Sequence, residues 1–153
     1  MDYVTVLQEG TVEIFETMVM LPIVLQRVTE HADSKLTDAR VTGMIGFGGT
    51  IKGMIGVSAT ADMAKIVTGS LLGMEIANLD DDVKDAFGEI ANMIAGALKS
   101  ACGEHGISID LAIPNSVVGD CLHISGLRGA KRVVLEFSAS AGNLWIELKY
   151  LEA

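Results

Sequence analysis

Residues 85–100 read DAFGEIANMIAGALKS and decide the predicted fold, because they form a helix with two unlike faces. At about 100° per residue, one side collects the apolar side chains, which are Phe87, Ile90, Ile94, Leu98 and Ala101. The opposite side collects polar or small residues, which are Asp85, Glu89, Asn92, Gly96 and Lys99. A helix of this kind buries its apolar stripe against another element and turns its polar face outward.

The segments before this helix are predicted to form two further helices and a β-hairpin. Apolar spacing predicts a helix from Gln8 to Leu21, ended by Pro22, and a polar loop from His31 to Asp38. Residues 41–59, VTGMIGFGGTIKGMIGVSA, predict a β-hairpin that turns at Gly48-Gly49. A short helix from Ala61 to Leu72 is closed by Gly73. Asp80, Asp81 and Asp82 then supply acidic N-terminal residues to the central helix, which runs to about Gly103.

The last third of the chain is predicted to be mostly strands. One strand runs from Ile107 to Ile113 and ends at Pro114, and a shorter candidate covers residues 120–126. A second hairpin joins Arg132–Ala139 to Asn143–Leu151 through an Ala-Gly turn. Hairpins joined to helices in this order predict an α+β fold with helices packed on one face of a largely antiparallel sheet. We expect residues 1–153 to form a single domain.

Composition excludes several function classes. The net charge of −9 argues against nucleic acid and against an anionic membrane surface. The N-terminus has no signal-peptide pattern, and the longest apolar run, Met18–Leu25, is too short to span a membrane, so we expect a cytoplasmic protein. Cys102 and Cys121 form no CxxC pair and are predicted to be reduced thiols.

Two other patterns do not predict sites. The histidines, which are His31, His105 and His123, have no metal-ligand spacing. The run GMIGFGGTIKG (43–53) lacks the order of a phosphate loop and lies between strands, which favours a tight hairpin. No metal site is predicted in this chain.

The polar face of the central helix allows two interpretations. One is an ordinary solvated helix face, on which Glu and Lys are routine. The other is a contact surface, because Asn is a poor helix-interior residue and Gly88 and Gly96 weaken the helix while keeping that face low. Glu89 and Asn92 are neighbours at i and i+3 on this face.

DAFGEIANMIAG (85–96) resembles the signature of the CheC/CheX family of chemotaxis phosphatases. The signature is an Asp or Ser, three residues, Glu, two residues, Asn, and a Pro some twenty-two positions on. It corresponds here to Asp85, Glu89, Asn92 and Pro114. The order of predicted elements is also similar across nearly the whole chain, and the single copy of the signature is most like CheX.

The resemblance implies a phosphatase acting on a phosphorylated CheY-type response regulator. The aspartyl phosphate and the Mg²⁺ then belong to the partner's active site, and this chain binds no cofactor of its own. It implies that Asn92 positions the attacking water and that Glu89 pairs with a Lys of the regulator. Asp85 contacts the partner or supports the helix start, and Gly88, Gly96 and Lys99 complete the predicted partner-binding face. A homodimer is implied as well.

Two alternatives use the same helix face without catalysis. One is a response-regulator-binding module like those of the flagellar switch, and the other is a sensory adaptor that binds a different protein. The paired Glu89 and Asn92 favour the enzyme.

Overall fold

The computed structural model describes residues 1–30, 36, 38–119 and 127–152, and the following elements lie within them. The helices are α1 (Tyr3–Ile14), extended by a π-helical turn (Phe15–Val19), α2 (Ala61–Leu72) and α3 (Asp81–Glu104). The strands are β1 (Val24–Glu30), β2 (Val41–Gly49), β3 (Ile51–Ala59), β4 (Ile109–Leu111), β5 (Asn115–Val118), β6 (Lys131–Ala139) and β7 (Gly142–Glu152).

The described strands form one antiparallel sheet. Their order is β1-β6-β7-β3-β2-β4, and β5 also pairs with β2. The two predicted hairpins, β2–β3 and β6–β7, are both present and are joined side by side through β3 and β7. The predicted α+β fold with a largely antiparallel sheet is therefore confirmed.

The helices cover one face of the sheet, and α3 packs chiefly against β2, the strand next to the edge formed by β4 and β5. Alternate residues of the strands point toward the helices, as the period of two requires. The largest fully buried side chains join helices and strands in one core: Leu7, Phe15, Ile45, Ile55, Met63, Phe87, Ile90, Ile94, Leu98, Ile109, Leu135 and Phe137. The apolar stripe predicted for residues 85–100 thus faces the sheet, although Ala101 is only half-buried.

The opposite face of the sheet carries polar groups that bond to one another. Thr42 and Ser58 share a hydrogen bond of 2.7 Å between their hydroxyl oxygens. The Nε1–H of Trp145 donates to Oε1 of Glu136 over 2.9 Å. These cross-strand contacts add to the backbone pairing of β2 with β3 and of β6 with β7.

The start of α3 is fixed by its capping residue. Oδ1 of Asp80 accepts hydrogen bonds from the backbone N–H groups of Asp82 (3.1 Å) and Val83 (3.4 Å). A side-chain oxygen at this position satisfies donors that the helix itself cannot satisfy. The acidic residues predicted at the helix start therefore lie where they cap it and favour the positive end of its dipole.

We expect Asp80→Ala to lower the free energy of unfolding by about 1 kcal/mol, because both capped N–H groups lose their acceptor. Urea unfolding followed by circular dichroism measures the change. Asp80→Asn, whose side-chain oxygen can still accept, is the matched control and should stay close to wild type. Equal stability of Asp80→Ala and wild type would contradict the capping role.

The end of α2 also agrees with its prediction. Gly73 adopts the left-handed conformation (φ 69°), and its N–H donates to the Gly69 carbonyl over 2.8 Å. This geometry closes a helix and favours glycine. The chain then passes directly into the connection that leads to Asp80.

Several predicted boundaries were wrong. The first helix begins at Tyr3 rather than Gln8, because Asp2 caps it, and its last turn is π-helical. The first hairpin turns around Thr50, not at Gly48-Gly49, since Phe47 pairs with Gly53. In the second hairpin the turn is Ser140-Ala141, because Ala139 pairs with Gly142.

Two strands were not predicted, and one is shorter than predicted. Strand β1 lies at a sheet edge and exposes most of its residues, so its apolar pattern is weak. The strand expected from Ile107 to Ile113 covers only residues 109–111, because the chain leaves the ladder before Pro114. It rejoins β2 as β5. The strand candidate at 120–126 lies outside the described residues.

No helix in the described ranges is long and apolar enough to cross a membrane.

Candidate functional site

The polar ridge, which we define as Asp85, Glu89 and Asn92, lies on the outer side of α3. Asp85 and Glu89 are exposed and Asn92 is half-buried. Glu89 and Asn92 are separated by about 60° around the helix and about 4.5 Å along its axis, as i and i+3 residues are. One helix therefore carries both the Glu89 carboxylate and the Asn92 carboxamide, and the apolar residues on its opposite side pack in the core.

A cleft of about 430 Å³ lies beside this ridge. Helix α3 forms one wall and the segment that leads into β5 forms the other. The lining residues are Lys84, Asp85, Gly88, Glu89, Pro114, Asn115 and Ser116. Three residues of the quoted signature, Asp85, Glu89 and Pro114, therefore meet at one place although Pro114 follows Glu89 by 25 positions (114 − 89).

A hydrogen bond ties the two walls of the cleft together. Oγ of Ser116 donates to the backbone carbonyl of Lys84 over 2.7 Å. Gly88 eases this approach, because a Cβ at that position would lie 3.3 Å from Ser116 Oγ, which is tight, and 3.8 Å from Pro114 Cβ, which is an ordinary contact. Gly88 was expected on the open outer face, but it is buried. Its missing side chain leaves room for the opposite wall.

The remaining predicted residues lie farther along α3. Gly96 is half-buried, and an added Cβ there would meet no atom within 4 Å, so this part of the face is open. Lys99 is exposed one turn later. Neither residue lines the cleft. They extend the same helix face beyond Asn92 toward the C-terminal end of the helix.

The polar atoms of Glu89 and Asn92 form no hydrogen bond or ion pair with any other described residue. Within residues 1–30, 36, 38–119 and 127–152, neither the Glu89 carboxylate nor the Asn92 carboxamide has a hydrogen-bond or ion-pair partner. In a helix interior, an Asn without such a contact makes the helix less stable than Ala would, and it forms no hydrogen bond that offsets the difference. The arrangement leaves a carboxylate acceptor and an amide, with its donor and acceptor, available to another molecule.

The other candidates from the sequence do not join the site. His105 follows the end of α3, where its Nδ1 lies 3.0 Å from the Ala101 carbonyl oxygen. Cys102 is buried, and burial raises the pKa of its thiol, so it is a poor nucleophile. His31, Cys121 and His123 lie outside the described residues. Among the residues that are described, no group of three His, Cys, Asp or Glu could hold a metal ion.

Sequence reasoning missed Lys84, Asn115 and Ser116 as cleft residues. Lys84 is a cation that lines the cleft together with the acids Asp85 and Glu89. Nothing in its local sequence distinguishes it from other surface lysines. The available signal for Ser116 was its position two residues after Pro114, a residue of the signature.

The fold and the site together define a class of protein: an α+β fold in which the outer side of one helix carries a carboxylate and a carboxamide beside a cleft, neither paired with another described residue. A family model described as chemotaxis phosphatase CheX matches residues 41–138. The chain belongs to the CheX family of chemotaxis phosphatases. A search of the curated protein sequences found no match.

Solved structures similar to this one span nearly its whole length. Chemotaxis protein CheX from Vibrio vulnificus has a TM-score of 0.88 at 25% identity and covers 99% of this chain and 100% of its own. A CheC-like superfamily protein from Shewanella sp. PV-4 has a TM-score of 0.89 at 23% identity, with coverage of 98% and 97%. The CheX–CheY–BeF3–Mg²⁺ complex from Borrelia burgdorferi contains a chain with a TM-score of 0.85 at 19% identity, with coverage of 99% on both sides.

Proposed function

We propose that this protein hydrolyses the aspartyl phosphate of a CheY-type response regulator. The observation that carries the proposal is the pair of exposed Glu89 and half-buried Asn92 on the outer side of α3, neither with a hydrogen-bond or ion-pair partner among the described residues, in a member of the CheX phosphatase family. The Borrelia relative is in a complex with CheY, BeF3 and Mg²⁺, which supports a CheY-type partner.

An aspartyl phosphate is a mixed anhydride whose carboxylate is a good leaving group. Its hydrolysis mainly requires a water molecule held in line with the breaking P–O bond, and stabilisation of charge on the phosphoryl oxygens. The Asn92 carboxamide suits the first task, since its oxygen accepts a hydrogen bond from the water and its NH₂ group donates. Asn92 does not act as a general base, because an amide is not basic. Its contribution is geometric.

Glu89 has a different role, because a carboxylate facing the phosphoryl group would repel it. We assign Glu89 to an ion pair with a Lys of the regulator's active site, which also orients α3 on the partner. Mg²⁺ belongs to the regulator and supplies charge neutralisation there. Asp85 flanks the same contact, and Gly96 and Lys99 extend the face that meets the partner, whereas Gly88 is buried beneath the opposite wall of the cleft.

We expect Glu89→Ala to weaken binding of the phosphorylated regulator by about 30-fold or more and to lower the hydrolysis rate as well. Truncating one partner of a desolvated charge pair leaves the other charge without its neutralising group. Glu104→Ala, which removes an exposed carboxylate at the far end of the same helix, is the control and should change neither quantity. Phosphate release measured over a series of regulator concentrations separates affinity from rate. Unchanged affinity in Glu89→Ala would contradict the ion pair.

A non-catalytic binding module is distinguished by the same assay. An excess of an enzyme accelerates phosphate loss from the regulator. An excess of a pure binder slows the loss or leaves it unchanged, because it shields the acyl phosphate without placing a water. Phosphate loss should be compared with and without the wild-type protein, across candidate CheY-type regulators.

We further propose that the protein forms a homodimer, as the family resemblance implies, and that it is cytoplasmic, as its N-terminus and short apolar runs lead us to expect. Of the described strands, β1 forms one outer edge of the sheet, and β4 with β5 forms the other. Backbone N–H and C=O groups at such edges can pair with another chain. Sedimentation of the purified protein measures the oligomeric state.

A further inference from the structure

The segment between β4 and β5 is a bulge in one interrupted strand. Both short strands pair antiparallel with β2: Leu111 pairs with Phe47, and Asn115 pairs with Met44. Three residues, 112–114, therefore lie opposite only two residues of β2, 45–46. An extra residue of this kind unpairs part of the ladder and re-aims the side chains next to it.

The bulge is firmly held on both sides. The Ala112 N–H still donates to the Gly46 carbonyl over 2.9 Å, and Ser116 bonds to helix α3 as described above. Pro114 has a fixed φ and no N–H, so it cannot rejoin the ladder. The residue between these anchors, Ile113, is consequently presented on a constrained backbone.

Ile113 is 90% exposed, the highest value among the large hydrophobic residues in the described ranges. The next are Met20 at 72% and Val24 at 62%. Leaving a β-branched apolar side chain in water is unfavourable, and polar residues are common at turns. Its neighbour Pro114 lines the cleft together with Asp85 and Glu89. Ile113 therefore lies one residue from the wall of the cleft, at the edge of the surface that a partner covering the cleft would contact.

We propose that Ile113 is the apolar docking residue through which this protein holds its CheY-type regulator. This inference rests on the proposed function. The proposed contact is apolar and is separate from the charged contact of Glu89. The polar ridge enters the regulator's reaction centre, and Ile113 helps to hold the regulator in position beside the ridge. Apolar anchors next to a polar contact commonly carry much of the affinity of an interface.

The experiment measures phosphate release against concentration of a phosphorylated CheY-type receiver domain. We expect Ile113→Ser to raise KM by about tenfold or more and to leave kcat unchanged, because the lost burial weakens binding without touching the reacting atoms. Ile113→Val, which keeps most of the apolar surface, should restore KM to nearly the wild-type value. Val24→Ser is the matched control, since Val24 is similarly exposed but lies on β1 at the opposite edge of the sheet.

A second readout is binding of the same receiver domain in the presence of BeF3 and Mg²⁺. Weaker binding by Ile113→Ser, with unaltered binding by Val24→Ser and an unaltered melting temperature, supports the proposal. A wild-type KM in Ile113→Ser, while the wild-type protein is active and Asn92→Ala is not, overturns the docking role alone. A wild-type protein that neither binds a receiver domain nor accelerates phosphate loss overturns both the docking role and the proposed function.

Discussion

Replacing Asn92 with Ala is expected to reduce the rate of phosphate release by about 100-fold or more while leaving binding of the phosphorylated regulator largely intact. In the proposed mechanism the amide positions the attacking water, and a small error in the position of a reacting group lowers rates by this order. No hydrogen bond of the Asn92 side chain to another described residue is lost. The variant therefore isolates the geometric contribution of one carboxamide.

The same substitution should not destabilise the protein. Ala is the better residue in a helix interior, so the free energy of unfolding of Asn92→Ala should equal or slightly exceed that of wild type. A gain in stability together with a loss of activity is typical of a residue kept for function. Asn78→Ala, which removes an exposed amide between α2 and α3, is the control and should retain full activity. Hydrolysis at the wild-type rate by Asn92→Ala would show that the positioning role is wrong.

Replacing Gly43 with Ala is expected to destabilise the protein and to displace the site. Gly43 lies on β2 directly under α3, and an added Cβ would overlap the Phe87 carbonyl and lie 3.0 Å from the Gly88 nitrogen. Both contacts are with backbone, which cannot rotate away, so α3 must move outward. Overpacking of this kind typically costs about 1–3 kcal/mol. The shift also carries Glu89 away from its position beside the cleft.

Gly48→Ala on the same strand is the matched control, because a Cβ there would meet no atom within 4 Å. Urea unfolding should show a lower midpoint for Gly43→Ala, with Gly48→Ala close to wild type. We also expect Gly43→Ala to lower phosphate release under conditions in which the variant remains folded. Equal stability of the two variants would mean that α3 does not depend on this close contact with β2.

The parts of the fold that follow from local periodicity were predictable from the sequence. The two faces of α3 were predicted because a 3.6-residue period needs only neighbouring residues to be recognised. The end of α2 at Gly73 was predicted because a single glycine closes the helix. The two hairpins were predicted because their strands are long and adjacent in sequence.

The parts that depend on distant contacts were not predictable. The cleft exists because Ser116 bonds to Lys84, 32 positions away, over a glycine that leaves it room. No local pattern shows that Gly88 faces Ser116 rather than solvent. Strand β5 has only four residues and receives its pairing from β2, so its own sequence carries little signal.

The most direct measurement is the loss of phosphate from a phosphorylated CheY-type receiver domain, with wild-type protein present at a small fraction of a molar equivalent. If Glu89 and Asn92 form a phosphatase site, each chain acts repeatedly, and nearly all of the receiver domain loses its phosphate faster than it does alone. A decay identical to that of the receiver domain alone, in the presence of a protein that binds it, would contradict catalysis by this helix.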